Sequence, residues 1–169
     1  MVDPVEETML WIESFVIGLS LCPFAAAPFH AGGVRCVRAR ATDPAGILAE
    51  VLAEVEALEE GCAQTSVIVL PGLQGGFEGY LGLFAAAEEL LRRSGWEGRY
   101  QLASFHPEYV FEGTDPEDPA NDTNRSPHPA IHVLRWEDVR KAVESHPDPE
   151  GIPARNIRLL RQREKDGKR

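Results

Sequence analysis

The chain lacks the cysteine patterns that define disulfide-rich proteins and cysteine-built zinc sites. It has three cysteines, Cys22, Cys36 and Cys62, an odd number with no CxxC spacing. A disulfide framework needs paired cysteines, and a structural zinc site needs closely spaced sulfur or histidine ligands. We therefore expect three reduced thiols in a domain that is stabilised by its hydrophobic core.

Long apolar stretches are also missing. No run approaches the length of apolar sequence that spans a bilayer, and the first residues are acidic where a secretory signal would be basic. These absences predict a cytoplasmic protein with no membrane partner. At 169 residues and 43% hydrophobic, the chain fits a single domain that is long enough to bury a core.

Basic residues are scarce and unevenly placed. The formal net charge is −10, yet residues 152–169 carry seven basic and only two acidic side chains. An acidic body repels phosphate backbones, so we expect no nucleic-acid partner. Short charged termini are usually disordered and solvated. The sequence thus predicts one α/β domain over residues 1–160 and a basic, disordered tail over residues 161–169.

Apolar spacing and capping signals predict the secondary structure. Asp3-Pro4 and Asp43-Pro44 each place a capping residue before a proline, which is typical of a helix start. Residues 65–70 form the short apolar run of a strand that is covered on both faces. The predicted elements are helix 4–20, strand 34–40, helix 44–60, strand 65–70, helix 77–93, strand 100–105, strand 130–135, helix 136–145 and a short helix from Pro153.

This order, β-α-β-α-β-loop-β-α with an additional N-terminal helix, predicts a single-domain α/β sandwich. We expect two or three layers around a mixed sheet of about four strands. The crossover helices make the first three strands parallel, and the fourth strand can pair antiparallel with the third across the long loop. The same order also occurs in thioredoxin-like cores. That architecture stays open, although the redox motif is absent.

The segment from His106 to His132 is the longest irregular stretch of the sequence. It contains three of the five histidines and five prolines, together with many carboxylates and amides. Irregular segments of this length inside compact domains are usually functional or disordered. Apolar residues near both ends, Tyr109, Phe111 and Ile131, favour an ordered loop. We therefore place the candidate functional residues in this segment.

The ends of the loop predict catalytic residues. Ligands of parallel α/β sheets bind outside the carboxyl ends of the strands. His106 leaves the third strand at that edge, and an antiparallel fourth strand would begin there, so we expect His106 and His132 to lie close together. Histidine suits acid or base chemistry near neutral pH, and Glu108 could orient one of the rings. The catalytic candidates are His106, His132 and Glu108.

The centre of the loop, NDTNRSP at 121–127, predicts a binding site for an anionic or polar group. Arg125 offers a planar fork for a carboxylate or phosphate, while Asn121, Asn124 and Ser126 add amides and a hydroxyl. The alternative is structural, because such side chains commonly bond to the backbone of their own loop and Arg125 can form an ion pair. Both interpretations stay open for these four residues.

A metal site is an alternative use of the same histidines. His106, His132 and one of Glu108, Asp115 or Asp118 would form a set of two histidines and one carboxylate, which suits zinc or non-haem iron. The spacing matches no compact metal motif. The sequence therefore leaves the metal, and any other cofactor, unknown.

Two further segments could contribute to a site. The glycine-rich turn 71–76 matches neither a P-loop nor a dinucleotide fingerprint, but a turn before a helix can present backbone N–H groups to an anion. Cys22 follows the first predicted helix, where the negative end of the helix dipole raises the pKa of a thiol. We expect a flexible turn in the first case and a buried, unreactive cysteine in the second.

Across these segments the sequence resembles the family catalogued as domain of unknown function 1415. The resemblance implies no particular activity. It adds Arg135 and Cys22 to the candidate substrate-binding residues. The others are Asn121, Asn124, Arg125 and Ser126. The matching residues span nearly the whole chain and are LCPFA at 21–25, FHP at 105–107, Asn121, TNRSP at 123–127, His132, Leu134, Arg135 and Asn156.

We predict a cytoplasmic enzyme that acts on a small anionic or polar metabolite at the loop. His106 or His132 would transfer the proton, and Arg125 would bind the anion. One alternative is a metal-dependent enzyme that uses both histidines. Another is a non-catalytic module that binds a ligand or a protein. The sequence leaves the oligomeric state open.

Overall fold

The computed structural model describes residues 2–168. It contains six α-helices, one π-helical segment, one 3-10 helix and four strands within that range. Most of these elements match the sequence prediction. They are α1 (Pro4–Trp11), the π-helical segment (Ile12–Ile17), α2 (Ala26–His30), β1 (Val34–Arg38), α3 (Pro44–Glu59), β2 (Thr65–Val69), α4 (Gly76–Arg93), β3 (Tyr100–Phe105), the 3-10 helix (Pro119–Thr123), β4 (Ala130–Arg135), α5 (Trp136–Ser145) and α6 (Ile152–Lys165).

The predicted helix starts are confirmed by their capping bonds. The carboxylate of Asp3 accepts the N–H of Val5 at 3.1 Å, and that of Asp43 accepts the N–H of Gly46 at 2.9 Å. The first helix is not regular to residue 20, however, because it changes to π-helical geometry after Trp11. The Ser14 hydroxyl bonds to the Leu10 carbonyl at 2.6 Å, which competes with the regular α-helical bond at this place.

The four strands form one mixed sheet in the order β1-β2-β4-β3. β1 and β2 are parallel, whereas β4 is antiparallel to both β2 and β3. The predicted direction of the first three strands and the antiparallel pairing of the third with the fourth are confirmed. The fourth strand is inserted between the second and the third. The sheet therefore does not have the strand order of a thioredoxin-like core.

Helices cover both faces of the sheet, which gives three layers. On one face, α3 and α4 pack against alternate residues of the strands, among them Ile68, Ile131 and Val133. On the other face, Ile12 and its helical neighbours pack against Val67, Val69 and Ala130. Successive strand residues point to opposite faces. The helix that a strand residue packs against therefore shows to which face of the sheet its side chain points.

The Tyr80 side chain of α4 lies between the backbones of the last paired residues of β3 and β4. The Tyr80 hydroxyl donates to the Ala130 carbonyl at 2.8 Å and accepts the Phe105 N–H at 2.9 Å. Phe105 and Ala130 are partners in the register, so the hydroxyl lies between two groups that a continuous antiparallel ladder would join. Tyr80 is fully buried, and burial raises the pKa of its phenol well above the ordinary value.

β3 is an edge strand, and backbone groups near both of its ends form hydrogen bonds on the side that faces away from β4. Near its start, the Tyr100 N–H donates to the Trp96 carbonyl at 3.0 Å. Near its end, the Asn124 amide donates to the Ser104 carbonyl at 2.9 Å, and the Asn124 carbonyl accepts the His106 N–H at 3.1 Å. Exposed strand edges invite pairing with other chains, and native proteins commonly block them. The long loop therefore protects the edge of the sheet.

The last helix is longer than the short helix predicted from Pro153. α6 extends to Lys165 and includes residues 161–165, which the sequence placed in a disordered tail. The Arg161 guanidinium forms two bonds to the Asp118 carboxylate, and this ion pair ties the helix to the loop. Arg169, the end of the predicted tail, lies outside the described residues. No helix within residues 2–168 is both long and apolar enough to cross a membrane.

Candidate functional site

The loop between β3 and β4 is ordered around one buried amide. Asn121 is fully buried, and its carbonyl oxygen accepts the Phe111 N–H at 3.0 Å and the Thr114 hydroxyl at 2.8 Å. Its amide nitrogen donates to the Asp115 carbonyl at 2.8 Å. These bonds use both ends of the side chain to join distant parts of the loop. In this structure Asn121 acts as a structural residue.

The guanidinium of Arg125 also bonds within the loop. It donates to the Tyr109 carbonyl at 2.9 Å, to the Pro116 carbonyl at 2.6 Å and to the Asp122 carboxylate at 3.1 Å. All three nitrogens of the planar fork are therefore engaged. This geometry matches the structural interpretation of Arg125 that the sequence left open, in which the loop accepts bonds from three of its five N–H donors.

Asn124 and Ser126 also bond to the backbone. The Asn124 side chain joins the loop to Ser104 of β3. The Ser126 hydroxyl donates to the His128 carbonyl at 2.5 Å, which forms a local turn before β4. The His128 ring in turn contacts the Glu7 carboxylate of α1, with Nε2 and Oε2 2.5 Å apart. The polar centre of the loop thus stabilises the fold around the candidate site.

His106 lies at the carboxyl end of β3 and is only 4% exposed. Its Nδ1 accepts the backbone N–H of Glu108 at 3.0 Å, so the neutral ring carries its proton on Nε2. Burial lowers the pKa of the ring, and the charge of the nearby Glu108 opposes that shift. Glu108 is exposed and orients His106 through its backbone N–H, not through its carboxylate. The result is a neutral imidazole with one N–H donor left to offer.

The first turn of α4 lies beside His106. The ring centroids of His106 and Phe77 are 5.2 Å apart, and those of His106 and Tyr80 are 5.1 Å apart. The helix begins without a side-chain cap, and Gly75 and Gly76 have positive φ angles of 97° and 61° that favour glycine. The first N–H groups of any helix have no partner within the helix. This turn therefore brings free backbone donors to the neighbourhood of His106.

His132 lies on the opposite face of the sheet. It alternates with Ile131 and Val133, which pack against α3 and α4, and its ring faces that of Phe105 at 6.4 Å. The Thr65 hydroxyl lies 2.6 Å from both the Val133 carbonyl and Nε2 of His132. Because a carbonyl can only accept, the hydroxyl donates to Val133 and accepts from the ring. His132 therefore carries its proton on Nε2.

The predicted meeting of the two histidines at one edge is not found. His106 packs beneath α4, whereas His132 points to the side of the N-terminal helix. His132 also lies two residues inside β4, opposite Ala103 of β3. Within residues 2–168 there is no group of three or more histidine, cysteine, aspartate or glutamate side chains that could hold a metal ion. The geometry gives no support to a shared two-histidine metal centre.

The environment of His132 predicts a pH dependence of stability. Although the residue keeps some exposure, burial lowers the pKa of its ring from 6.5 to about 4. Between these values the unfolded chain binds a proton that the folded chain does not, so the free energy of unfolding decreases as the pH falls. One such proton contributes up to about 1.4 kcal/mol per pH unit.

This prediction can be checked by urea denaturation between the two pH values. His132→Gln keeps an N–H near Thr65 but does not titrate, so its stability should depend less on pH than that of the wild type. Because His106 is present in both proteins, its contribution cancels in the difference. Equal pH slopes for the two proteins would contradict the proposed environment of His132.

Arg135 lies away from His106, and Cys22 lies in the turn after the π-helical segment. Arg135 ends β4 at the other end of the sheet, and its guanidinium donates to the carbonyls of Leu58, Ala63 and Gln64 at and beyond the end of α3. Cys22 is partly buried; burial raises the pKa of its thiol, although backbone N–H groups of the following turn oppose the shift. The structure therefore does not bring Arg135 to the carboxyl edge beside His106.

The turn that contains Cys22 is fixed by α6. Asn156 is buried, and its amide donates to the Leu21 carbonyl at 2.7 Å. Its neighbour Arg155 donates to the carbonyls of Leu19 and Ser20 at 3.2 and 2.9 Å. These bonds satisfy carbonyl groups of the turn that follows the π-helical segment. They also explain why a polar residue such as Asn156 occurs on the buried side of α6.

Sequence reasoning did not anticipate two residues beside the histidines. The sequence predicts Tyr80 only as part of a helix and Thr65 only as the start of a strand. Each makes a tertiary hydrogen bond that determines the surroundings of a candidate residue. The available signal was a tyrosine or threonine at a buried position of a regular element, since a buried hydroxyl needs a partner.

The structure defines a single-domain α/β protein with an ordered loop between β3 and β4. A family model described as protein of unknown function (DUF1415) matches residues 3–169. The chain belongs to this family, and the resemblance seen in the sequence is confirmed. No curated protein and no solved structure matches the chain. The comparisons therefore establish the family and leave the activity to be inferred from the site.

Proposed function

We propose that this protein is an enzyme that acts on a small anionic or polar metabolite at the edge formed by His106 and the first turn of α4. The observation that carries the proposal is the state of His106. The ring is almost completely buried at the carboxyl end of a strand, and Glu108 N–H fixes its tautomer. A positioned neutral imidazole can donate a proton from Nε2 and take it back.

The anion would be bound by the backbone. Arg125, which was predicted to bind it, has all its nitrogens engaged in the loop. The uncapped start of α4 offers N–H groups and the positive end of a helix dipole, which favour a carboxylate or phosphate. The role of Arg125 in this proposal is to keep the loop, and with it His106, in place.

The proposal predicts that His106→Asn loses most of its turnover at a temperature at which the variant is folded. Asparagine keeps an acceptor near the Glu108 N–H but has no group at the position of Nε2. Because asparagine fills less of the buried space, we expect a lower melting temperature but a folded protein, which circular dichroism verifies. Loss of a general acid or base lowers turnover by about 10²- to 10⁴-fold. Thermal-shift screening with carboxylates and phosphate esters, followed by activity assays on the hits, measures both effects.

Glu108→Ala is the matched control, because it keeps the backbone N–H that orients the ring and removes only an exposed carboxylate. It should retain ligand binding and most of the turnover. Retention of full turnover by His106→Asn would exclude His106 as the proton-transfer group. Ligand-induced stabilisation without turnover, in wild type and control alike, would instead favour a non-catalytic binding module.

A further inference from the structure

An exposed tryptophan separates two grooves at the end of the sheet opposite to His106. Trp136 is 45% exposed and begins α5, a helix with no buried residue. It lines a groove of about 500 Å³ on one side and a groove of about 400 Å³ on the other. Exposed aromatic residues beside concave surfaces are typical of protein interfaces, where tryptophan is enriched among the residues that dominate binding.

The larger groove is acidic. Its charged lining consists of Glu88, Glu89, Arg92 and Glu97. Glu89 pairs with Arg92 and with the neighbouring Arg93, while Glu88 and Glu97 take no part in these ion pairs. The groove therefore presents negative charge to whatever covers it.

The smaller groove has the opposite sign. Three guanidinium groups and two carboxylates line it, so positive charge is in excess. Arg99 pairs with Glu59, Arg140 pairs with Glu137 and Glu144, and Lys141 adds a positive charge beside Glu137. With Arg135 counted, one positive charge remains in excess. The charged lining residues are Glu59, Arg99, Arg135, Glu137 and Arg140.

We propose that the protein forms a two-fold symmetric homodimer through this face. With the axis along the Trp136 ridge, the two tryptophan rings meet, and each acidic groove faces the basic groove of the second copy. An isologous interface requires a surface that is complementary to itself, and two adjacent grooves of opposite sign meet that requirement. The second copy is thus the occupant that the charges favour.

The dimer is tested first by sedimentation equilibrium over a dilution series. Wild-type protein should show a monomer–dimer equilibrium, and Trp136→Ala should raise the dissociation constant by about thirtyfold or more, as expected for a central tryptophan. Leu10→Ala is the matched control, because Leu10 is 64% exposed on α1, away from this face. It should leave the dissociation constant unchanged.

A mixing experiment tests the arrangement of the grooves. Glu88→Lys and Arg140→Glu each place like charges opposite one another in the homodimer, so each variant alone should be monomeric. Mixed in equal amounts, the two variants restore opposite charges at both ends of the interface and should form a heterodimer. Circular dichroism of each variant verifies that it is folded.

Wild-type protein that stays monomeric at every concentration would overturn the proposal. A dimer that is insensitive to Trp136→Ala, or charge variants that fail to associate on mixing, would show that another surface is used and would overturn it as well. None of these outcomes bears on His106, which lies at the opposite end of the sheet. The proposed enzyme and the proposed dimer can therefore fail independently.

Discussion

Replacing Asn121 with alanine is expected to lower the free energy of unfolding by about 3 kcal/mol. The substitution leaves the Phe111 N–H and the Asp115 carbonyl without the partner that Asn121 provides, whereas the Thr114 hydroxyl keeps the Phe111 carbonyl as an acceptor. An unsatisfied buried polar group costs about 1–3 kcal/mol, and part of this cost disappears if the loop relaxes and admits water. Urea denaturation followed by circular dichroism measures the change.

Thr123→Ala is the matched control in the same 3-10 helix. Thr123 makes one local bond to the Ala120 carbonyl, so its loss should cost about 1 kcal/mol or less. If Asn121→Ala were as stable as this control, the loop would not depend on its central amide. Asn121 would then become available again as a ligand-binding residue, as the sequence suggested.

Arg125→Lys is expected to destabilise the protein by about 2 kcal/mol, although it keeps the positive charge. A lysine ammonium has no planar fork and cannot reach the Tyr109 and Pro116 carbonyls and the Asp122 carboxylate together. Hydrogen bonds from charged groups contribute about 1.5–3 kcal/mol each, and lysine can retain one of them. The free energy of unfolding from urea titrations is again the measured quantity.

Arg38→Lys serves as the comparison, because Arg38 is exposed at the end of β1. Surface substitutions of this kind change stability by less than about 0.5 kcal/mol. Should Arg125→Lys prove equally neutral but abolish ligand-induced stabilisation, the guanidinium would have to leave the loop and bind the ligand. That outcome would restore the anion-binding role predicted from sequence.

The elements and strand directions follow from local patterns in the sequence. Capping residues before prolines set the start of α1 and α3, and the apolar run at 65–70 predicted the fully buried β2. The position of β4 between β2 and β3 does not follow from such patterns, because strand order depends on tertiary packing. The change to π-helical geometry after Trp11 does not follow from these patterns either, and the Ser14 hydroxyl bonds to the Leu10 carbonyl beside it.

The candidate site was harder to predict than the fold. Asn121 and Arg125 have the chemistry of ligand-binding residues, and only their partners show that they bind the loop instead. The two histidines were placed at one edge because they follow and precede neighbouring strands. A side chain two residues inside an antiparallel strand, however, can point to either face. The face to which His132 points depends on which residue of β3 it pairs with, and that residue is Ala103. This pairing is not visible in the sequence.

The hydroxyl of Tyr80 has a consequence for how the protein opens. Because it replaces a direct rung between Phe105 and Ala130, any motion that lifts α4 from the sheet also separates the ends of β3 and β4. The helix and this corner of the sheet are thus expected to open as one cooperative unit. His106 directly follows Phe105 and packs beneath the same helix. The docked α4 therefore shields the imidazole from solvent.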